Sequence, residues 1–363
     1  MTSRKIFPDK LPEQALRTGI TKALDAACLH MGAVSPNPAV GCALFDEDGT
    51  VLAVGAHKKA GAPHAEVMAV QQARARHVLE RVHSAFVTLE PCAHFGRTPP
   101  CADLLASLHL KDLWLGQADP NAQASGGALK LRDGGVAVHF LGAMPDFERE
   151  AAACRALAAP FCHRQRTGKA WLTVKQALNA QGSMLPPPGQ KTFTSPEALK
   201  LAHVLRRTTD AVVTGIGTVL ADNPTFTVRH VDDVSPRPNR PLLVFDRQGR
   251  LPEHWRQARQ AEGFVVERCT SVAEMQAILA KHHANHALVE GGPALLAMLK
   301  RENAWDDWLS VEQTPAPQGL AERVTAKVNA AHGTRYGQGP AALVAARLAL
   351  FSPSYLHNQA GQD

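Results

Sequence analysis

The sequence predicts two consecutive α/β domains, and three observations carry that expectation. The chain has 363 residues, more than one hydrophobic core usually organises. Strand and helix patterns alternate twice, once before and once after a helical stretch at Asp146–Arg166. With 45% hydrophobic residues there is enough apolar side chain to fill both cores. The expected boundaries are residues 1–145 for the first domain, 146–166 for a connecting helix, 167–350 for the second domain and 351–363 for a polar tail.

The elements follow in order. Leu16, Ile20, Leu24, Ala27 and Met31 recur with helical spacing, so Pro12–Met31 reads as a helix that Pro36-Asn37-Pro38 ends. Ala39–Phe45 and Val51–Ala56 read as strands around the turn Asp46-Glu47-Asp48-Gly49. A helix is expected from about His64 to Glu80, a buried strand at Ala85–Leu89, a loop over Glu90–Pro100 and a helix from Cys101. Leu113–Leu115, Ala128–Arg132 and Val136–Phe140 continue as strand, helix and strand. In the second half, strands are expected at Trp171–Gln176, Ala211–Thr214, Pro241–Phe245, Phe264–Glu267 and Ala287–Glu290. Helices are expected at Pro196–Arg207, Val272–His282 and Pro293–Lys300, and the pattern weakens beyond about Leu309.

Composition narrows the function classes. Met1–Gln14 is charged and broken by prolines, which does not read as a signal peptide. No apolar run reaches membrane-spanning length, so no membrane partner is expected. Seven cysteines are too sparse for a disulfide framework in a chain this long, which points to a reducing cytoplasm. The net charge of +6 is scattered rather than blocked, and it suits a small phosphorylated substrate as well as nucleic acid.

The chemistry is concentrated in His64, Glu66, Cys92 and Cys101. A His-x-Glu element followed by Pro-Cys and a second cysteine is the signature of zinc deaminases. One imidazole and two thiolates hold zinc and leave a fourth position for water, whose pKa the metal lowers. Glu66 is then free to move protons from the water to the ring and the departing amine. Alone, each of these residues would read as a packing cysteine or a helix-capping histidine, as Cys28, Cys42, Cys154 and Cys162 do. A structural zinc would recruit four protein ligands, whereas this set supplies three and an acid. The two cysteines are eight residues apart rather than the usual two, which marks a subgroup.

Longer strings identify that subgroup. Pro36-Asn37-Pro38-Ala39-Val40-Gly41-Cys42, Gly61-Ala62-Pro63-His64-Ala65-Glu66 and Thr88-Leu89-Glu90-Pro91-Cys92-Ala93-His94-Phe95-Gly96-Arg97-Thr98-Pro99-Pro100-Cys101 resemble the bifunctional RibD family of riboflavin biosynthesis. Thr194-Ser195-Pro196, Arg206, Gly217–Pro224 and Glu290-Gly291-Gly292-Pro293 resemble the reductase half of that family. The sequence departs from it at Asn179-Ala180-Gln181-Gly182, where the family usually carries Ser-Leu-Asp-Gly. The resemblance implies a cytidine-deaminase-like three-layer N-terminal domain and a dihydrofolate-reductase-like C-terminal domain.

It also implies the reactions and the residues. The deaminase substrate would be 2,5-diamino-6-(5-phosphoribosylamino)pyrimidin-4(3H)-one, with Asn37, His57 and His94 as substrate contacts and Lys58 or Arg97 as weaker phosphate candidates. NADPH would then reduce the ribosyl chain to ribityl. Ala177, Thr192, Thr218, Asp222, Gly292 and Pro293 would contact NADPH. Lys175, Arg206, Phe226, Arg229 and Glu290 would contact the substrate, with Arg206 and Arg229 on its phosphate. Each has a plainer alternative: Asn37 as a turn between prolines, His57 and His94 as loop histidines, Arg206 as a solvated helix end, Asp222 as a turn residue.

Three other readings stand beside the bifunctional enzyme. The first keeps the deaminase and reduces the second domain to a scaffold. The second is a deaminase of tRNA or single-stranded nucleic acid, which would need an aromatic-lined basic groove that a 5% aromatic content does not favour. The third, a zinc-binding interaction protein, leaves Glu66 unexplained. A homo-oligomer is compatible with the bifunctional reading.

Overall fold

The computed structural model describes residues 11–95, 99–121, 125–189, 192–234, 236–317, 319–329 and 339–347. The expected polar tail and Arg97 lie outside the described residues. The chain divides into two compact units. One comprises Met1–Ala27 with Ala39–Arg155, the other Cys28–Pro38 with Ala156–Asp363.

The first unit is built on a five-stranded sheet. Its strands are β1 (Gly41–Phe45), β2 (Val51–Ala56), β3 (Ser84–Val87), β4 (Asp112–Leu115) and β5 (Ala137–Phe140), in the order β2-β1-β3-β4-β5. β1 runs antiparallel to β2 and β3, while β3, β4 and β5 are parallel. Helix α1 (Glu13–Cys28) buries Leu16, Ile20, Ala23, Leu24 and Ala27 along one stripe, as their spacing predicts. Helices α2 (Ala65–Ala75), α3 (Cys101–Ala106) and α4 (Gly127–Asp133) share one core with the sheet.

Helix α2 stops at Ala75, five residues before the expected end. Arg76 caps it with its side chain turned to the Leu52 carbonyl at 2.9 Å, and His77 takes a left-handed conformation at φ 56°. No glycine marks that stop, so the sequence pattern ran on through it. Helix α5 (Glu148–Thr167) fills the expected connector, and the division between the units falls within it.

The second unit carries β6 (Trp171–Leu178), β7 (Ala211–Gly215), β8 (Arg240–Phe245), β9 (Phe264–Cys269), β10 (His286–Val289), β11 (Asp307–Ala316) and β12 (Gly319–Val328). Their order is β12-β11-β6-β10-β7-β8-β9, all parallel except β12, which pairs antiparallel with β11. The helices are α6 (Pro196–Arg207), α7 (Ile216–Asp222), α8 (Glu253–Ala261), α9 (Val272–Lys281), α10 (Pro293–Arg301) and α11 (Pro340–Arg347). Both faces of the sheet are covered: α9 and α10 contribute to one core, α7 and α8 to another.

Beyond about Leu309, where the sequence pattern weakens, the structure carries a hairpin. β11 and β12 form a hairpin paired over ten residues of each strand. The apolar alternation fades there because the distal half of β11 is only partly covered and β12 is an edge strand carrying Glu322, Arg323 and Lys327. The backbone ladder sustains the hairpin where side-chain patterning does not. Helices α7, α8 and α11 also escaped the pattern; α8 buries only Trp255 and Arg259 among its nine residues.

Candidate active sites

The first site forms where two helices begin against β1–β3. His64 is the N-cap of α2, Glu66 lies in its first turn, and Cys101 opens α3. Helix α2 rides unusually close to β2. A Cβ on Gly55 would stand 2.1 Å from the Ala65 carbonyl oxygen and 2.4 Å from the Ala69 nitrogen, so glycine there is what lets the His-Ala-Glu turn approach the sheet.

The donor atoms converge. His64 Nδ1 lies 3.4 Å from Cys101 Sγ and 3.9 Å from Cys92 Sγ, and all three ligand atoms fall within 4.8 Å of one another. Tetrahedral zinc, with bonds of ~2.3 Å to sulfur and ~2.1 Å to nitrogen, separates its ligands by ~3.5–3.8 Å. The set therefore fits zinc with His64 Nδ1 as the nitrogen ligand. The Cys101 backbone N–H also points at Cys92 Sγ, at 3.4 Å, and favours the thiolate there.

Electrostatics agree with that use. Sharing of the Cys101 thiol proton, with help from His64, pulls Cys92 down to about 4. The same sharing and burial push Cys101 up, and a bound dication would supply the charge that lets both lose their protons. The Cys92 contact raises His64. Burial raises Glu66, which is 3% exposed, above the ordinary carboxylate range. A carboxyl poised nearer neutrality suits proton transfer.

Around this centre, His57 is buried with its ring edge-on to His64 at 5.4 Å, its Nδ1 against the Pro63 carbonyl at 3.1 Å, and burial lowers its pKa. His94 is exposed in the loop after Cys92. Asn37 lies in the 28–38 segment of the second unit, where its backbone carbonyl accepts from Asn285 Nδ2 at 3.1 Å. Sequence reasoning missed Glu90. Its buried carboxylate accepts the backbone N–H groups of Asp119, Gly126 and Ala128 at 3.0–3.2 Å, which fixes the start of α4 beside the Cys92 loop. Its place beside Pro91-Cys92 was the available signal.

The second site gathers at the C-terminal ends of β6, β7 and β10, where parallel sheets bind ligands. Arg206, in the last turn of α6, donates to Glu290 through Nε at 2.6 Å and Nη2 at 3.2 Å. Burial opposes the Glu290 charge, but Arg206 and then Lys175 outweigh it and hold the carboxyl below its ordinary range. Burial lowers the Lys175 ammonium; Glu290 resists that shift and Arg206 adds to it. Phe226 is buried 5.7 Å beneath the Arg206 guanidinium. Arg229 is exposed, with Nη1 donating to Thr227 Oγ1 at 2.8 Å and to Thr225 Oγ1.

A tightly packed glycine turn lies next to these residues. Gly291 packs so closely on α10 that a Cβ would reach 2.6 Å from Leu295, and one on Gly292 would meet Thr218 Oγ1 at 3.6 Å. The structure thus brings Thr218 beside Gly292, the residue before Pro293. Helix α10 starts at Pro293 without a side-chain cap, an arrangement that can receive an anion on its first amides. Asp222 is exposed at the end of α7, Ala177 lies on β6, and exposed Thr192 bonds Thr194 at 2.9 Å.

The turn that departs from the RibD pattern is well ordered. Asn179 is buried, and its Oδ1 accepts the N–H groups of Gln181 and Ser183 at 3.0 and 2.9 Å. Its Nδ2 donates to the Leu185 carbonyl at 3.0 Å. Gln181 itself is exposed. Asn179 is thus the residue that shapes this turn, a role its sequence position between strand and glycine suggests only in retrospect.

A thiolate-and-imidazole donor set with a buried acid, joined in one chain to a largely parallel sheet with a glycine turn at an uncapped helix start, is the pattern of a two-unit deaminase–reductase. Residues 14–117 match the cytidine and deoxycytidylate deaminase zinc-binding region, and residues 170–325 match the RibD C-terminal domain. The riboflavin biosynthesis protein RibD of Aquifex aeolicus is 33% identical over 78% of this chain and 83% of its own length. That of Corynebacterium ammoniagenes is 32% identical over 84% and 86%. A Thermotoga maritima structure, titled a diaminohydroxyphosphoribosylaminopyrimidine deaminase/5-amino-6-(5-phosphoribosylamino)uracil reductase, superposes with a TM-score of 0.70 at 28% identity, covering 85% of this chain and 89% of that one. The chain belongs to the RibD family of riboflavin biosynthesis proteins. It is a bifunctional enzyme with a cytidine-deaminase-like zinc unit and a dihydrofolate-reductase-like unit that uses NADPH. The scaffold and nucleic-acid readings are not favoured, because the RibD-type reductase half is present. No helix among the described residues is long and apolar enough to cross a membrane.

Proposed function

We propose that this chain deaminates the diaminohydroxyphosphoribosylaminopyrimidine and then reduces the ribosyl chain of the product; the Thermotoga maritima relative is named for a deaminase and a reductase of this kind. The observation that carries the first step is the convergence of His64 Nδ1 and the Cys92 and Cys101 sulfurs beside buried Glu66. Zinc held there supplies Lewis acidity to a bound water. His64, Cys92 and Cys101 would hold that zinc, Glu66 would move the proton from the water to the ring and the leaving amine, and His57 and His94 would contact the substrate. Asn37 is assigned the same role through its side chain.

In the second unit, Lys175, Phe226 and Glu290 orient the ribosyl chain, and Arg206 and Arg229 receive the phosphate. Ala177, Thr192, Thr218, Asp222, Gly292 and Pro293 would hold NADPH. NADPH supplies the hydride, and the protein supplies its position relative to the sugar. Asn179 already orders the turn after β6, so Gln181 in place of an acid is compatible with reduction. A thiolate-rich metal site suits a reducing compartment, and we place the protein in the cytoplasm, acting on a small phosphorylated pyrimidine rather than on nucleic acid.

The test is Glu66→Gln. The variant is expected to keep about one zinc per chain and lose deamination by ~100-fold or more. Wild-type turnover in Glu66→Gln removes Glu66 from the mechanism; loss of the zinc moves it from proton transfer to metal retention.

A further inference from the structure

His203 has no role in the reduction as assigned, yet its side chain is fully enclosed at 0% exposure. It stands on α6, three residues before Arg206. Its Nδ1 accepts the backbone N–H of Arg229 at 2.9 Å. That bond fixes the tautomer: Nδ1 carries no proton, so the neutral ring carries its proton on Nε2. Burial, then Arg206, Arg229 and His230, hold the imidazole pKa down at about 4, with Glu290 acting in the opposite sense. The ring is thereby kept in the form that can accept.

The loop it holds is a strained one. Asn223, Phe226 and His230 all take left-handed conformations, with φ of 44°, 58° and 59°. Such conformations in non-glycine residues persist only where the surroundings over-determine them. The surroundings do so here. The Pro224 carbonyl accepts from Trp255 Nε1 at 3.1 Å and Arg259 Nη1 at 2.8 Å, and the Thr227 carbonyl accepts from Arg206 Nη1 at 3.4 Å. At Arg229 the tie is the His203 ring. The Arg229 guanidinium folds back on Thr225 and Thr227 of its own loop, so where it faces depends on where that backbone is anchored.

We propose that His203 is the positioning residue of the substrate-phosphate site: by accepting the Arg229 N–H it sets the loop that presents the Arg229 guanidinium to the anion. This rests on the reading of Arg229 as a phosphate ligand. An anchor of that kind acts on binding of the phosphorylated substrate and not on the redox step, so its loss shows in KM before kcat. It also acts through an acceptor atom. Asparagine can place Oδ1 where Nδ1 stands, whereas phenylalanine keeps the ring and leaves the Arg229 N–H without a partner.

The experiment compares His203→Phe, His203→Asn and Arg229→Ala in the full chain with the deaminated, phosphorylated intermediate and its dephosphorylated counterpart. His203→Phe is expected to raise KM for the phosphorylated substrate ~10-fold, with kcat within ~3-fold and NADPH affinity unchanged, and to add little in an Arg229→Ala background. His203→Asn is expected to recover most of that loss. If the Phe and Asn variants behave alike, or if kcat falls while KM holds, the proposal is overturned. An unchanged KM in Arg229→Ala alone overturns the phosphate reading beneath it, a separate result. Should His203→Phe not fold, ring nitrogen NMR of the wild-type protein decides: an Nε2–H tautomer retained from pH 8 to 5 supports the anchor, and an Nδ1–H tautomer refutes it.

Discussion

Arg206 and Glu290 hold each other through two parallel hydrogen bonds, Nε to Oε2 at 2.6 Å and Nη2 to Oε1 at 3.2 Å, with only 14% and 10% of their side chains exposed. The pair links the end of α6 to the turn after β10. If Arg206 receives the substrate phosphate as proposed, it must do so while shared with, or released from, this carboxylate. Removing one partner leaves the other poorly solvated, at a cost on the order of 3 kcal/mol when burial is complete and less here. Glu290→Gln is therefore expected to lower the melting temperature and the reductase kcat/KM together, without changing zinc content. A Glu290→Gln protein with wild-type stability and reduction would show that the pair is neither structural nor part of the site.

Gly55 tests the packing that brings His64 and Glu66 to the metal. A methyl group there meets backbone rather than a flexible side chain, at 2.1 Å from the Ala65 oxygen, so something must shift. Gly55→Ala is expected to destabilise the first unit by ~1–3 kcal/mol and to weaken zinc retention. Thermal unfolding and metal analysis check this; unchanged values in both would mean that α2 does not depend on the close approach.

The turn after β6 separates two explanations of the departure at Gln181. Asn179 supplies its side-chain order, and Gln181 is exposed. Asn179→Ala is expected to lose reductase activity ~10-fold or more as the two turn amides lose their acceptor. Gln181→Asp is expected to change it by less than ~3-fold. Steady-state oxidation of NADPH measures both, and a large gain in Gln181→Asp would place a missing carboxylate at the centre of the chemistry.

Stability should carry a histidine signature in its pH dependence. His286 is buried, with Nε2 2.6 Å from Thr173 Oγ1, and burial lowers its pKa to about 3 from an ordinary 6.5. A depressed histidine favours the neutral folded state, so its contribution is complete above 6.5 and is lost as pH falls toward 3. The stability advantage of wild type over His286→Gln is therefore expected to shrink between pH 6.5 and 4, by up to ~1.4 kcal/mol per pH unit. Asp307, on the other side of the same Thr173 hydroxyl, has the opposite sign. Burial raises it to about 6 from 3.8, so its contribution is present below 3.8 and lost as pH rises through 6. Denaturant unfolding of both proteins across this range decides; a constant gap would mean that His286 does not titrate with folding.

The metal set was legible because its residues are chemically rare in combination and lie in short strings. His64, Glu66, Cys92 and Cys101 needed only helix starts and a loop to converge. Most strands were legible too, since buried parallel strands read as apolar runs, as in Ala211–Gly215. The β11–β12 hairpin was not, because its order comes from the backbone ladder rather than from an apolar face. Glu90 and His203 were not, because their partners are main-chain N–H groups far along the chain, which no side-chain pattern advertises. For Asn37 the sequence offers both a substrate contact and a turn between prolines, and it gives no sign that the Asn37 carbonyl is held by Asn285, 248 residues away.

The most direct measurement of the central claim is product analysis of the purified, zinc-loaded protein given the diaminohydroxyphosphoribosylaminopyrimidine, with and without NADPH. Without NADPH, ammonia and the deaminated ribosylamino product should accumulate. With NADPH, that product should pass to the ribityl compound with matching loss of NADPH absorbance. Deamination with no NADPH oxidation under any condition would contradict the two-activity account, and absence of both products from zinc-loaded protein would contradict the substrate.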